Sequence, residues 1–536
     1  MKRLALGLDF GTESVRALLV DLHGREAAGS VVRYRHGQIL EHLPGNKVRL
    51  PRDFALQHPG DWVESSAKAT RAAMREAGVS GEAVLGIGVD FTSCTMLPCL
   101  GDGTPLCLDS KWSDNAYAWP KLWKHHGAKQ QAERMTNLAR VRKERWLARY
   151  GGTVGLEWFF PKVLETLEEA PDVFRATENW IEAGDWLAWQ LVGGAEAELT
   201  RSTCQAGYKG MWSAEEGYPS NEYLSAVHRK LSSAVAEKMP GRLGAPGERA
   251  GDLSASMARK FGLREGTPVS VAIIDAHAGV PGAGAAEPHT LVMVMGTSSC
   301  HMICSEENRM IPGVAGIVKD GILPGFYGYE TGQAAVGDAF DWARRLVGAK
   351  RFSELSQRAL RLAPGADGVR CLDWFNGCRT PLMDGGLSGS FHGLTLAHRS
   401  EHLFRSVMEA SACGLRWIVD TLREGGVPVR RFIATGGLPH HNPEFVQLCA
   451  DVLDERIDVH PCRHGPALGA AILGAMAAGR STTGFADVES AIRAMARPRG
   501  VSMKTFRPRR SASKVYGSVY ENYRRLTVTG SKTPKR

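Results

Sequence analysis

Two stretches of this chain carry residues whose types and spacing suit phosphate chemistry. Near the N-terminus, Leu4-Ala-Leu-Gly-Leu-Asp9-Phe-Gly11-Thr12-Glu13-Ser14 leads into a second apolar run that ends at Asp21. Leu4, Leu6 and Leu8 alternate with small residues and 17–20 is continuously apolar, the pattern of two buried strands joined by a turn. The turn offers successive backbone N–H groups and the Thr12 hydroxyl, with the Asp9 carboxylate just before it. Such a turn makes an anion nest, and an aspartate beside it suits Mg2+, usually through water. Alone, the stretch fits an ordinary β-hairpin equally well. The second stretch, Leu291-Val-Met-Val-Met-Gly296-Thr297-Ser-Ser-Cys-His-Met-Ile303, repeats the form. Two such hairpins far apart imply two similar domains that face each other across a nucleotide.

Other chemistries find little support. There is no G-x-x-x-x-G-K-S/T and no G-x-G-x-x-G opening a helix, which argues against P-loop and Rossmann sites. G-x-S-x-G and H-E-x-x-H are missing as well. The adjacent pairs His125-His126 and His440-His441 point in different directions and make poor metal sites. His392, His398 and His402 read as surface or packing residues, and Trp158, Trp180, Trp186 and Trp189 as core. Eleven cysteines without zinc spacing fit buried free thiols in a reducing compartment.

The elements that must hold the hairpins can be read outward from them. A third strand is expected over 25–34, a helix from His58 to about Ala77 that stops at Gly78, and a buried strand over 84–90. Strands and helix in this order suggest an α/β layer of the ribonuclease-H type. The stretches 115–150 and 157–192 read as mainly helical, a cap or insertion carrying substrate contacts. In the second half, Ser400 is expected to cap a helix to Glu424, with Leu403, Val407, Ala410, Gly414 and Ile418 on one face. A strand over 432–435, a Gly436-Gly437 turn, helices over 443–453 and 467–478 and a strand over 457–459 complete the reading. We place the domains at 1–284 and 285–490, with a basic segment over 491–536.

Composition sets the outer bounds. With 536 residues, 43% hydrophobic and 23% charged, the chain is a globular protein of more than one domain. No 18-residue apolar run exists and the N-terminus enters a strand directly, so no membrane partner and a cytoplasmic location are expected. The net charge of +9 invites a nucleic-acid partner. However, 491–536 holds 13 Lys/Arg against one acid, a net of +12, which leaves the first 490 residues at −3. The basicity belongs to a solvated end segment, and no nucleic-acid partner is expected.

Gly389-Ser-Phe-His-Gly393-Leu394, then seven residues, then His402-Leu-Phe-Arg-Ser406-Val-Met-Glu409 resembles the C-terminal signature of the FGGY carbohydrate kinases. That family belongs to the actin/Hsp70/sugar-kinase superfamily. The resemblance extends over nearly the whole chain through Val89-Asp-Phe-Thr-Ser-Cys-Thr-Met-Leu-Pro98, Glu157-Trp-Phe-Phe-Pro-Lys162, Ala206-Gly-Tyr-Lys-Gly-Met-Trp212 and Ile274-Asp-Ala-His-Ala-Gly-Val-Pro281. These segments look most like family members that phosphorylate a ketopentose. The resemblance implies two ribonuclease-H-like domains with an interdomain cleft, ATP and Mg2+ as cofactors, and a small sugar as partner. The implied reaction is ATP-dependent conversion of L-ribulose to L-ribulose 5-phosphate, in L-arabinose catabolism. Several family members are dimers, so a homodimer stays open.

A sugar hydroxyl is a poor nucleophile and needs a carboxylate to accept its proton. Asp275, after the apolar stretch 269–274 and before a glycine-rich turn, is the candidate base, with helix capping as its alternative. For the sugar, the resemblance points to Ser93, Lys209 and Glu330 beside Asp275. A turn lysine and a strand-end carboxylate remain the plainer accounts of Lys209 and Glu330. For the nucleotide it points to Thr12, Glu13, Ser14 and Arg16, then Thr297 and Gly337, then Gly437, Leu438 and Asn442, with Asp9 on the metal side. A plain strand-to-helix turn predicts the same Gly436-Gly437. Lys111-Trp-Ser-Asp-Asn115 and Thr153-Val-Gly-Leu156 depart from the expected pattern near the substrate side, which leaves D-ribulose, ribitol and L-xylulose as alternative substrates. A non-catalytic ATP switch of the actin/Hsp70 type is the distant alternative.

Overall fold

The computed structural model describes residues 2–47, 49–195, 199–497, 500 and 502–530. Strand β1 (Leu4–Phe10), buried along its whole length, pairs antiparallel with β2 (Ser14–Asp21), which pairs with β3 (Glu26–Arg33). Helix α1 (Pro59–Ala77) starts where the His58 ring accepts from the Gly60 N–H, and ends at Gly78 in the left-handed region (φ 62°). Strand β4 (Val84–Phe91) then lies parallel to β1, with Asp90 opposite Asp9.

The expected insertion is only partly a cap. Helix α2 (Phe159–Glu169) and the Trp146, Tyr150, Trp158 and Trp180 side chains build a separate core. Trp186 and Trp189, by contrast, lie in the core of the first sheet. All four tryptophans of the sequence reading are buried, which makes them core residues rather than a stacking platform. Residues 179–182 form a strand paired with Met96–Cys99, an element the helical reading missed. Helix α3 (Thr203–Lys209) follows, and β5 (Arg249–Asp252), β6 (Pro268–Ser270) and β7 (Ile273–Ile274) complete a seven-stranded sheet. Its order is β3-β2-β1-β4-β6-β5, with β7 also on β4. Asp275 does not precede a glycine-rich turn: it is the first residue of helix α4 (Asp275–Gly282).

The second half repeats the plan. Strands β8 (Thr290–Met295), β9 (Ser299–Ser305), β10 (Gly316–Lys319) and β11 (Tyr327–Gln333) are antiparallel neighbours. Helices α5 (Gly337–Leu346) and α6 (Ser400–Glu424) come next, then β12 (Arg431–Thr435), parallel to β8 as β4 is to β1. Helices α7 (Gly437–His441) and α8 (Pro443–Leu453), strand β13 (Ile457–Val459) and helix α9 (Gly465–Ala477) follow. The sheet order is β10-β11-β9-β8-β12-β13, closed by β14 (Lys504–Phe506). Ser400 does not cap α6. The Arg399 N–H donates to His402 Nδ1 instead (3.0 Å), and the helix is buried on nearly every side rather than along one stripe.

The end of the chain departs most from expectation. Instead of a solvated segment, it adds β14 to the second sheet and helix α10 (Arg510–Gly530), which buries Tyr516, Tyr520 and Tyr523. Tyr516 bonds Glu409, which also pairs with Arg405 at 2.8 Å. The signature residues around Gly393 therefore fasten the C-terminal helix.

The two sheets meet through α4 and α9. Helix α9 comes late in the chain yet packs on β1 and β4 of the first sheet. A Cβ at Gly7 would lie 1.9 Å from the Ala467 carbonyl oxygen, and one at Gly88 1.7 Å from that of Ala470. Only glycine allows this approach. Among the described residues, no helix is long and apolar enough to cross a membrane.

Candidate functional site

Parallel strands deliver three aspartates to one end of the first sheet. Asp9 lies near the end of β1, Asp90 faces it on β4, and Ile273 of β7 pairs with Asp90, so Asp275 follows just beyond. Ligands of open α/β sheets bind outside the carboxyl ends of parallel strands, where this trio stands. Arg16, directly across β2 from Asp9, closes a 2.8 Å ion pair with it. Asp90 is completely buried, no described N–H or hydroxyl group donates to its carboxyl, and a proton shared with Asp9 is the hydrogen bond open to it. Burial first, then the charges of Asp9 and Asp275, push its carboxyl well above the usual range. Sequence reasoning quoted Asp90 within a motif but gave it no role. Its period-two position opposite Asp9 was the available signal.

Asp275 accepts from the Ala276 N–H at 2.7 Å. Burial raises its carboxyl to about 7, the Ala276 bond opposes this, and Asp9 adds to it. A carboxyl poised near neutrality suits a general base. Next to it, Lys209 at the end of α3 holds both Glu330 oxygens at 2.9 Å, and His277 Nε2 stands 3.3 Å from Glu330 Oε2. Burial alone would raise the Glu330 carboxyl, but Lys209 and His277 outweigh it and hold it well below the usual range. The expected sugar residues Lys209 and Glu330 are thus one buried pair spanning the two halves of the chain, neither a surface turn nor a free strand end. His277, two residues past Asp275, was missed. Ser93 lies in the turn after β4 beside Cys94, whose carbonyl accepts from the buried Lys162 Nζ at 2.7 Å.

The nucleotide-side residues gather at the two turns. Thr12 is gripped from outside: its carbonyl accepts from Gln57 Nε2 at 2.7 Å and its hydroxyl from Trp123 Nε1 at 3.0 Å. Glu13 accepts from Gln38, and Ser14 starts β2. Among the described residues, the N–H groups of Thr12 and Glu13 have no acceptor, and neither do those of Thr297 and Ser298. These four donors give the two jaws of the cleft an anion-binding surface. Gly337 starts α5 against the second turn, and a Cβ there would lie 2.6 Å from the Gly296 oxygen. Gly437 begins α7 with open space where a side chain would be, its nearest neighbour 3.9 Å away, and Leu438 is half-buried beside it. Asn442 is buried and its Oδ1 caps α8 through the Phe445 N–H at 3.2 Å, which leaves Nδ2 without a partner.

Oxygen donors of Asp9, with the buried Asp90 carboxyl behind it, fit a hard divalent cation. His36, His58 and Asp61 also bring ligand atoms within 4.8 Å of one another. Their Nδ1 atoms are already engaged: His36 Nδ1 bonds Asp61 at 2.9 Å and His58 Nδ1 takes the Gly60 N–H at 3.1 Å. This trio braces the loop behind the first turn. His125 is buried against Glu165 at 2.9 Å, a packing role. All eleven cysteines are free thiols.

Residues 4–282 match the N-terminal domain, and residues 291–478 the C-terminal domain, of the FGGY family of carbohydrate kinases. The chain is 43% identical over 534 residues to Ribulokinase of Halalkalibacterium halodurans, covering 97% of this chain and 94% of that protein. It is 40% identical over 536 residues to Ribulokinase of Mycolicibacterium smegmatis, covering 97% and 93%. Among solved structures, the xylulose kinase from Rhodospirillum rubrum superposes with a TM-score of 0.80 at 23% identity, covering 98% of this chain and 99% of that one.

Proposed function

The chain belongs to the FGGY family of carbohydrate kinases, a family of sugar phosphotransferases, and on that premise we propose that it converts L-ribulose and ATP to L-ribulose 5-phosphate and ADP. The observation that carries the reading is Asp275, poised near neutrality close to Asp9 and to the fixed Lys209–Glu330 pair. The names of the relatives, which span nearly the full chain, support ribulose as the sugar.

In this reading Glu330 and Lys209 orient the sugar hydroxyls, with Ser93 at the pocket edge. The terminal oxygen forms its bond to the γ-phosphorus as the bond to the β-phosphate oxygen breaks, and Asp275 takes the hydroxyl proton. The N–H groups of both turns bind the polyphosphate, Arg16 adds charge, and the bare Gly437 backbone admits the adenosine. Asp9, with Asp90 behind it, would hold Mg2+, which when bound neutralises phosphate charge. Closure of the two jaws excludes water, the competing phosphoryl acceptor.

A kinase assay across L-ribulose, D-ribulose, L-xylulose and ribitol, ranked by kcat/KM, tests the substrate. L-ribulose is expected first. A tenfold or greater preference for another sugar overturns the assignment and leaves the phosphotransferase chemistry intact.

A further inference from the structure

Arg379 stands on the wall of the cleft contributed by the second half of the chain, in the loop between the strands Arg370–Leu372 and Ser390–His392. The loop is tied to β11: the Thr380 N–H donates to the Gly332 carbonyl at 3.2 Å, and the Gly332 N–H donates to Thr380 Oγ1 at 3.3 Å. The guanidinium lies across Cys300 and Gly332, which pair between β9 and β11. Its Nη1 is 3.6 Å from Cys300 Sγ, and a Cβ at Gly332 would come within 3.3 Å of the same nitrogen. The same Cβ would meet the Ser299 carbonyl oxygen at 2.5 Å, so glycine there serves the strand pairing first and the cation second.

Two directions fix where the guanidinium faces. Glu330, two residues before Gly332 on one strand, shares its face of the sheet. Cys300 lies three residues beyond Thr297, so the phosphate turn is close on the other side. Arg379 therefore sits between the sugar-side carboxylate pair and the second anion nest. It is half-buried, and among the described residues no carboxylate lies within 4 Å of it. Lys209 is ion-paired with Glu330 and Arg16 with Asp9, whereas Arg379 has no such pair. Glu330 and Glu157 lie near enough to favour its charge but make no direct ion pair with it, so its planar fork, which matches phosphate oxygens, is not occupied by a carboxylate.

We propose that Arg379 is a further substrate-binding residue, which takes the phosphoryl group as it passes to the sugar and holds it on the sugar phosphate before release. The neutral sugar brings no anion to this position, so the contact strengthens only as transfer proceeds, which is the condition for raising turnover rather than binding alone. The proposal rests on the kinase reading but not on which sugar is used.

The test compares wild type with Arg379→Met and Arg379→Lys, by calorimetric titration with L-ribulose and L-ribulose 5-phosphate in the presence of MgADP, beside steady-state kinetics. Arg379→Met is expected to weaken the sugar phosphate at least ~10-fold and the sugar less than ~3-fold, to lower kcat by ~10²-fold or more, and Arg379→Lys to recover part of each. Equal loss for both ligands, or no loss for either, overturns the proposal. If wild type binds neither ligand, the ribulose assignment fails, and the same variants are titrated with MgADP plus tetrafluoroaluminate, a sugar-free mimic of the transferring group. At least ~10-fold weaker binding by Arg379→Met then supports the proposal, and unchanged binding overturns it.

Discussion

The two Gly-Thr hairpins are built alike and equipped differently. Each joins two antiparallel strands through a turn that leaves two N–H groups free, and each has a parallel neighbour on the other side of its first strand. In the first hairpin the cross-strand pair before the turn is Asp9 and Arg16. In the second, the corresponding pair is Val294 and Cys300. Charge needed for a cation thus resides on one jaw, while the other supplies an uncharged nest and, through Cys300, a seat for Arg379. The bracing differs too. Side chains of Gln57 and Trp123 hold the first turn, whereas the backbone at the start of α5 holds the second, with Val336, Gly337 and Asp338 N–H groups on Gly296 and Thr297 carbonyls. A duplicated hairpin therefore gives a clamp whose halves divide the work between metal and anion.

The sharpest way to test that division is to remove what neither jaw provides. Asp275→Asn is expected to lower kcat by ~10²-fold or more with L-ribulose binding retained in calorimetry. In wild type, kcat/KM should fall tenfold per unit below the Asp275 value of about 7 and level off above it, measured with buffers of constant ionic strength. Stability should show the opposite sign. The Asp275 carboxyl titrates near 3.8 in the unfolded chain and near 7 in the folded one, so the folded state binds more protons between those values. The group thus destabilises the fold as pH rises through this window, by no more than roughly 4 kcal/mol. The Tm advantage of Asp275→Asn over wild type should accordingly be larger at pH 8 than at pH 4; an advantage independent of pH contradicts the assignment.

The asymmetry of the cross-strand pairs comes next. Asp9→Asn should raise the Mg2+ concentration for half-maximal activity ~10- to 100-fold, while Val294→Ala should leave it unchanged. Equal shifts would erase the distinction between the jaws. The bracing predicts a smaller contrast. Gly337→Ala puts a methyl 2.6 Å from the Gly296 oxygen and should cost roughly 1–3 kcal/mol of stability, with a higher KM for ATP. Gly11→Ala meets nothing nearer than 3.5 Å and should be close to neutral in both. Smallest of all, Trp123→Phe removes one hydrogen bond to Thr12 and should raise the KM for ATP by about 2- to 10-fold.

Much of this was legible without coordinates because it depends on local pattern. Period-two apolar runs give both hairpins, Gly78 gives the end of α1, and the motif around Gly393 gives the family. Where reading failed, the cause was contact between distant segments. The 13 basic residues of 491–536 outweighed three spaced tyrosines in the sequence, yet Tyr516, Tyr520 and Tyr523 decide the packing of α10. Asp275 looked like the edge of a turn because Gly279 and Gly282 follow it. Gly282 is there because α9 crosses α4 so closely that a Cβ would lie 1.9 Å from the Gly465 oxygen, and at Gly279 a Cβ would meet the Val294 side chain of β8 at 3.0 Å.

The sequence by itself determined the two hairpins and their turns, the sugar-kinase family and, through the resemblance to that family, the candidate base. Those follow from covalent neighbours, whose spacing the chain carries openly. Tertiary structure alone decided that Asp90 is a buried acid set against Asp9, that Lys209 and Glu330 are one ion pair, and that Arg379 lies near Glu330 and Glu157 without a direct ion pair. The charge and protonation of such groups depend on burial and on partners more than a hundred residues away, and no spacing in the chain encodes either.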